Sequence, residues 1–233
     1  MRRAWGTHCV PGSNWLSPLR RCVALAAAVA CVCLHGQAPA PSAKDVAKRV
    51  DQHYDSLRSL KAAFAESYSG MGLTRNENGT LLLAKPGKMR WDYSSPAGKV
   101  FLLDGKYGWF YTPGDPQVQR IPAKDLDDLR SPLRFLLGHT ELEKEIVNLT
   151  MAPAANGGFV LSGVPKGQAN RITRLSLTVT ATGTILGIEV LEVDGSLTKF
   201  TFSDERENAP MAPDAFRFKA PAGVPVVDGM PPV

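Results

Sequence analysis

The chain is poor in the side chains that most catalytic chemistry requires. Of its 233 residues only four are cysteine and four are histidine. All four cysteines (Cys9, Cys22, Cys31 and Cys33) precede Gly36, so the rest of the chain has no disulfide and no thiolate. Beyond Gly36 the histidines are His53 and His139. The first sits beside Asp55 on a helical stretch and reads as part of a solvated face; the second follows Gly138 at a helix end, where a cation favours the dipole. No zinc spacing, phosphate-binding glycine loop, serine elbow or triad with a plausible base is present. The carboxylates of Asp125, Asp127 and Asp128, and of Glu141, Glu143 and Glu145, form runs of the kind that coat a surface. The sequence therefore implies no enzyme, no metal and no cofactor.

A membrane-spanning run is also lacking. The apolar stretch Cys22–Leu34 is 13 residues long, against the roughly 20 that a transmembrane helix needs. It follows Arg20-Arg21 and leads into the small-residue segment 38–42, the pattern of a secretory signal. Residues 1–36 are expected to be a cleaved signal peptide, and residues 37–233 a single domain in the periplasm. Ala28-Val29-Ala30-Cys31 loosely resembles a lipidation signal, so a membrane-anchored form is the alternative. The formal charge of +5 belongs largely to this leader. Arg2, Arg3, Arg20 and Arg21 lie in it without an acid, which leaves 23 basic against 22 acidic residues. Nothing in that balance points to nucleic acid.

The remainder is rich in short alternating apolar runs. The spacing of Val46, Val50, Tyr54 and Leu57 predicts an amphipathic helix over 43–60, with Ser42 as its N-cap and Asp45 three residues on. A first strand is expected over 60–69, and a polar turn over 75–79. Strands over 80–84, 88–94, 99–103, 107–111 and 117–121 follow, separated by Pro-Gly and Asp-Gly turns. Leu126, Leu129, Leu133, Leu136 and Leu137 switch to helical spacing over 125–138, broken at Ser131-Pro132. Further strands are expected over 146–151, 158–161, 172–180, 184–193 and 196–203. Ten or eleven strands with two helical pieces make a mainly-β or α+β architecture, a strongly curved sheet or open barrel with helices laid on it.

The stretch from Leu81 to Tyr111 carries more large apolar surface than one packed face needs. Met89, Trp91 and Tyr93 alternate with Lys88, Arg90 and Asp92; Phe101 and Leu103, then Tyr107, Trp109 and Tyr111, extend the pattern. Such a face is either an ordinary core or a lining for something greasy, since each buried CH₂ of an acyl chain contributes about 0.8 kcal/mol. We read a lipid-handling protein.

The ordered features resemble the periplasmic outer-membrane lipoprotein carrier family, LolA-like, over essentially the whole chain after the leader. They are Gly79-x-Leu81-x-x-x-Lys85-Pro86-x-x-Met89-x-Trp91, Leu103-Asp-Gly105-Lys106-x-x-Trp109-Phe-Tyr-x-Pro113, Ser131-Pro132-Leu-x-x-Leu136-Leu137, and Phe216-x-Phe218-x-Ala-Pro221-x-Gly223-Val224. The resemblance implies an incomplete, half-open antiparallel β-barrel with an N-terminal helix and short lid helices over a concave apolar face. Leu81, Leu83, Met89, Trp91, Tyr93, Phe101, Leu103 and Trp109 would line the acyl cavity, and Pro132, Leu133, Leu136 and Leu137 the lid. It also implies the partners: acylated lipoproteins, an inner-membrane lipoprotein-releasing ABC transporter and an outer-membrane receptor, with the carrier itself a monomer. Where the family has a gating arginine this chain has Lys85, and Arg90 or Arg134 could share the role. The same half-barrel serves membrane-anchored receptors, the reading that lipidation of Cys31 would favour, and periplasmic lipid-binding sensors.

Overall fold

Ser42 starts the first helix. Its hydroxyl accepts a hydrogen bond from the Asp45 amide, and the Asp45 carboxylate accepts one from the Ser42 amide, so two free donors at the helix start are satisfied. Helix α1 (Ala43–Ser56) buries Val46, Ala47, Val50 and Tyr54 along one stripe. It stops short of Leu60 because Leu57 turns to an extended conformation, and the chain enters the sheet two residues later. The computed structural model that carries these features describes residues 40–126, 136, 141–155 and 157–229.

Six strands follow: β1 (Ser59–Gly70), β2 (Leu73–Ala84), β3 (Lys88–Ser95), β4 (Val100–Leu103), β5 (Tyr107–Tyr111) and β6 (Val118–Pro122). Two single-turn helices, α2 (Ala123–Leu126) and α3 (Leu142–Glu145), come next. The second run is β7 (Ile146–Pro153), β8 (Phe159–Pro165), β9 (Ile172–Val179), β10 (Ile185–Glu192), β11 (Leu197–Glu207) and β12 (Val226–Asp228). All twelve form one sheet, in the order β12-β6-β5-β4-β3-β2-β1-β11-β10-β9-β8-β7. Every pair is antiparallel except β12 on β6. The sheet is open, with β12 and β7 as its edges.

The sheet is also strongly curved. Three strand spacings separate β3 from β11, about 14 Å across a flat sheet. Yet the Trp91 ring on β3 lies 5.6 Å from Phe200 and 6.1 Å from Phe202 on β11. Side chains on one face therefore converge, and α1 lies among them in a single core with residues of β1–β3 and β7–β11. This is the half-open barrel that the sequence suggested.

Two differences from the sequence reading have physical causes. The turn expected over 75–79 is part of β2; the chain reverses at Met71-Gly72, with Gly70 paired to Leu73. The polar residues there are an ionic cluster at one end of the same face. Glu66 stands opposite Glu77 and Tyr68 opposite Arg75; Arg75 reaches both glutamates, and Lys99 pairs with Glu77. The short strand β12, unexpected in a Pro/Gly-rich tail, is held by a 2.7 Å ion pair between Arg120 and Asp228.

Gly79 sits where β2 and β3 come closest, at an irregularity in their pairing, and a Cβ there would fall 2.0 Å from the Asp92 carbonyl oxygen. Gly79→Ala is expected to destabilise the fold by at least about 1–3 kcal/mol, seen as a lower urea midpoint. An unchanged midpoint would mean that the two strands can separate there without loss.

Candidate functional site: the inner apolar face

The register of β2, β3 and β4 sets two rows across the inner face. Leu81, Trp91 and Phe101 lie side by side, as do Leu83, Met89 and Leu103, with Tyr93 beside Gly79. Leu81, Leu83, Met89 and Trp91 are buried, and Tyr93, Phe101 and Leu103 pack partly exposed against them. Period-2 alternation thus brings together seven of the eight residues expected to line a cavity. Phe64 meets Trp91 edge-on at 4.6 Å and Tyr93 at 5.0 Å, and Phe101 lies 4.7 Å from Phe110. Phe64, Phe110, Phe200 and Phe202 were not singled out from the sequence as site residues. The alternations Phe64-x-Glu66-x-Tyr68 and Phe200-x-Phe202 were the signal that could have found them. Trp91 is 1 % exposed, and its indole N–H has no acceptor among the described residues.

Trp109 is a correction. It stands opposite Leu102 on the other face of the sheet, where its ring stacks on Phe218 at 5.1 Å and its N–H donates to Asp104. Alternation along β5 was read in the wrong phase, because aromatic residues occupy both faces of Tyr107–Tyr111. Arg90 is another. It projects from the same outer face, bonds Asp92 at 2.6 Å and donates to the Ala215 carbonyl at 3.1 Å. It fastens the C-terminal segment.

Helix α1 is the cover of the inner face. The Tyr54 hydroxyl accepts a hydrogen bond from the Ile185 amide at 3.1 Å, and burial holds that phenol well above its ordinary pKa. Asp51 accepts from the Leu142 amide, joining α1 to α3; burial raises its carboxyl to about 6. On the other side, Arg49 donates to the Ala181 carbonyl, and Gly183 approaches the Arg49 backbone so closely that a Cβ would lie 2.5 Å from its oxygen. Lys85 closes the arrangement. Its ammonium donates to the Tyr54 carbonyl at 2.6 Å and the Asp55 carbonyl at 3.0 Å, both in the last turn of α1, where a cation also meets the negative end of the helix dipole.

Of the residues expected to form the lid, Leu136 is described and is buried in the core; Pro132, Leu133 and Leu137, with Arg134, lie outside the described residues. Leu136, Leu57, Leu60, Leu83 and Lys85 surround a void of only about 10 Å³. That is barely room for one water, whereas ligand sites usually measure roughly 300–1,000 Å³. The described residues thus leave no ligand-sized space beside Lys85 and Leu136.

Beneath the end of α1 lies a strained polar feature. Asp204, at φ 52°, sits in a break of the β1–β11 register, and Glu205 beside it is left with a buried oxygen that has no partner among the described residues. Burial, with the neighbouring Glu207 adding to it, lifts the Glu205 carboxyl to about 7. His53 approaches Glu207 at 3.5 Å.

Comparison with known proteins agrees with this geometry. The family model described as outer membrane lipoprotein carrier protein LolA matches residues 55–219. The chain belongs to that family. An outer-membrane lipoprotein carrier protein of Chromobacterium violaceum is 28% identical over 214 residues, covering 92% of this chain and 98% of the relative. One from Nitrosospira multiformis is 28% identical over 177 residues, covering 74% of this chain and 84% of the relative. Among solved structures, an uncharacterized conserved protein from Thermus thermophilus shares the fold, with a TM-score of 0.52 at 12% identity, over 80% of this chain and 99% of that one. Lys85, Met89 and Trp91 all fall within the span matched by the carrier family model.

Two variants probe the cover. Lys85→Met removes both bonds to the end of α1 and is expected to lose about 1.5–3 kcal/mol of stability, while Lys85→Arg keeps most of it; urea titration decides, and equal midpoints for all three would leave Lys85 without a structural role. Glu205→Gln tests the buried carboxyl. The unfolded chain loses this proton near 4.5 and the folded one near 7, so folding is progressively disfavoured as pH rises between those values. The variant should melt close to wild type below the lower value and several degrees higher above the upper one.

Proposed function

We propose that the exported form of this chain is a periplasmic carrier that encloses the acyl chains of lipoproteins within its curved sheet. The observation that carries the reading is the pairing of a convergent aromatic inner face with a cover, helix α1, held by a few separable polar contacts. Family membership supports the same role. Residues 1–36 act as the export signal in this reading, and the remainder works as a single domain and a monomer.

Cargo released by an inner-membrane ABC transporter would displace α1, together with the segment around Leu136, and lay its acyl chains against Leu81, Leu83, Met89, Trp91, Tyr93, Phe101 and Leu103. No bond is made or broken. Acyl chains contribute through burial alone, so transfer to an outer-membrane receptor needs only a second apolar site of higher affinity. Lys85 sets the balance between closed and open states: its two hydrogen bonds favour closure, and their loss would favour loading. An ammonium lacks the planar fork of a guanidinium, so Lys85→Arg should close the cover more firmly and slow loading.

The mass of the mature N-terminus separates this reading from its nearest rival. An unmodified end after cleavage supports a soluble carrier, and a diacylglyceryl group on Cys31 supports a membrane-anchored receptor. Trp91→Glu and Phe200→Glu place a carboxylate on the inner face, at a buried and a partly exposed position. A carboxylate in an acyl path is costly, so variants that keep the wild-type circular dichroism should no longer co-purify with triacylated lipoprotein. Undiminished cargo on both folded variants would refute the acyl site.

A further inference from the structure

The hairpin of β1 and β2 ends in the two-residue loop Met71-Gly72, both with positive φ, 52° and 75°. This mirror-image turn is the kind that asparagine and glycine fill at least strain, and a methionine there is disfavoured. Burial does not compensate. Met71 is 84% exposed and Leu73, the next side chain, 68% exposed. The adjacent turn between β10 and β11 carries Val193, 58% exposed. These are the three most exposed large apolar side chains among the described residues.

The two turns are fastened together. Gly70 lies so near Ser196 that a Cβ would fall 2.2 Å from its hydroxyl oxygen, and the Tyr68 and Ser196 hydroxyls are 3.2 Å apart. Ser196 is itself fully buried. The Val193 amide donates to the Arg171 carbonyl at 2.9 Å, which adds the β8–β9 loop to the same end. The apolar tip is therefore a fixed projection rather than a loose loop.

We infer that this tip, Met71 and Leu73 with Val193 beside them, is a bilayer-contacting finger that dips into the lipid interface. Its shape and size favour lipid over a protein partner. A specific protein interface buries roughly 800 Å² on each side, far more than three side chains on two narrow turns present. An interfacial anchor needs only a few apolar groups reaching about 5–10 Å into the headgroup boundary. At the rim Arg75 is paired with Glu66 and Glu77, Arg171 with Glu192, and Lys199 with Glu189, while Asp194, next to Val193, is an exposed carboxylate that accepts from the Ser196 amide. Apolar insertion, not attraction to anionic lipid, is then the driving force. The inference stands apart from the carrier reading, because Lys85 lies at the other end of β2, about 35–40 Å along the strand.

The test uses the protein as the cell exports it, with vesicles of phosphatidylethanolamine and phosphatidylglycerol. Wild type should sediment with the vesicles, to the same extent at low and high salt, and Met71→Asn/Leu73→Thr should bind at least about tenfold more weakly. Asn suits the turn, so Met71→Asn alone should melt no lower than wild type, which separates lost insertion from lost folding. As a second readout, spin-labelled lipid should broaden the Met71 methyl resonance and spare that of the buried Met89. Equal binding by wild type and the double variant, an unbroadened Met71 methyl, or a wild type that ignores vesicles, including one whose tip instead cross-links to a protein, would overturn the assignment. Cargo loading by the double variant should match wild type, so failure here and failure of the carrier reading remain distinct.

Discussion

An apolar sheet face as large as the one shared by β1–β3 and β7–β11 cannot be left to water, and the arrangement of the described residues follows from how it is covered. The strands curl until Trp91 touches Phe200, three strands away. The trough that results is filled by α1 through Val46, Ala47, Val50 and Tyr54. Burial of this kind is non-directional and supplies most of the cohesion. The directional contacts are few by comparison: Tyr54 to Ile185, Asp51 to Leu142, Arg49 to Ala181 and Lys85 to the end of the helix. A cover held mainly by apolar contact, and located by a handful of polar ones, can be exchanged for another apolar body of suitable shape.

The polar residues mark the two ends of the trough. At one end the buried Glu77 and largely buried Glu66 meet Arg75 and Lys99 beside Tyr93, with Lys99 4.2 Å from the Tyr93 ring. Burial raises the Glu66 carboxyl, against the pull of Lys99 and Arg75. At the other end, near the end of α1, Glu205 has a buried oxygen with no partner among the described residues, and burial lifts its carboxyl to about 7.

Much of this was legible in the chain. Period-2 alternation identified the strands from β3 to β11, and the i, i+4, i+8 spacing of Val46, Val50 and Tyr54 identified α1. Seven of the residues expected to line a cavity fall on one face because alternation and register are the same geometry seen locally and globally. The failures arose where a local signal had two meanings. Polar residues over 75–79 resembled a turn because an ionic cluster inside a barrel end has the composition of a loop. Trp109 and Arg90 were misassigned because the outer face of β3–β6 is itself covered, by the segment carrying Ala215 and Phe218, a long-range contact that no local pattern announces. Lys85 is legible as a gating candidate only through the family resemblance; that its partner is the end of α1, thirty residues earlier, is likewise a long-range contact.

The most direct test of the central claim is a distance between the cover and the sheet. Spin labels on cysteines introduced at Lys48, on the exposed side of α1, and Thr173, on an exposed strand position of β9, report it by pulsed dipolar spectroscopy, since the sequence has no cysteine after Cys33. If acyl chains replace α1 on the inner face, the distance should lengthen by several ångströms when a triacylated lipoprotein binds, and return on its release. Bound cargo with an unchanged distance would contradict the exchange of helix for acyl chain on which this mechanism rests.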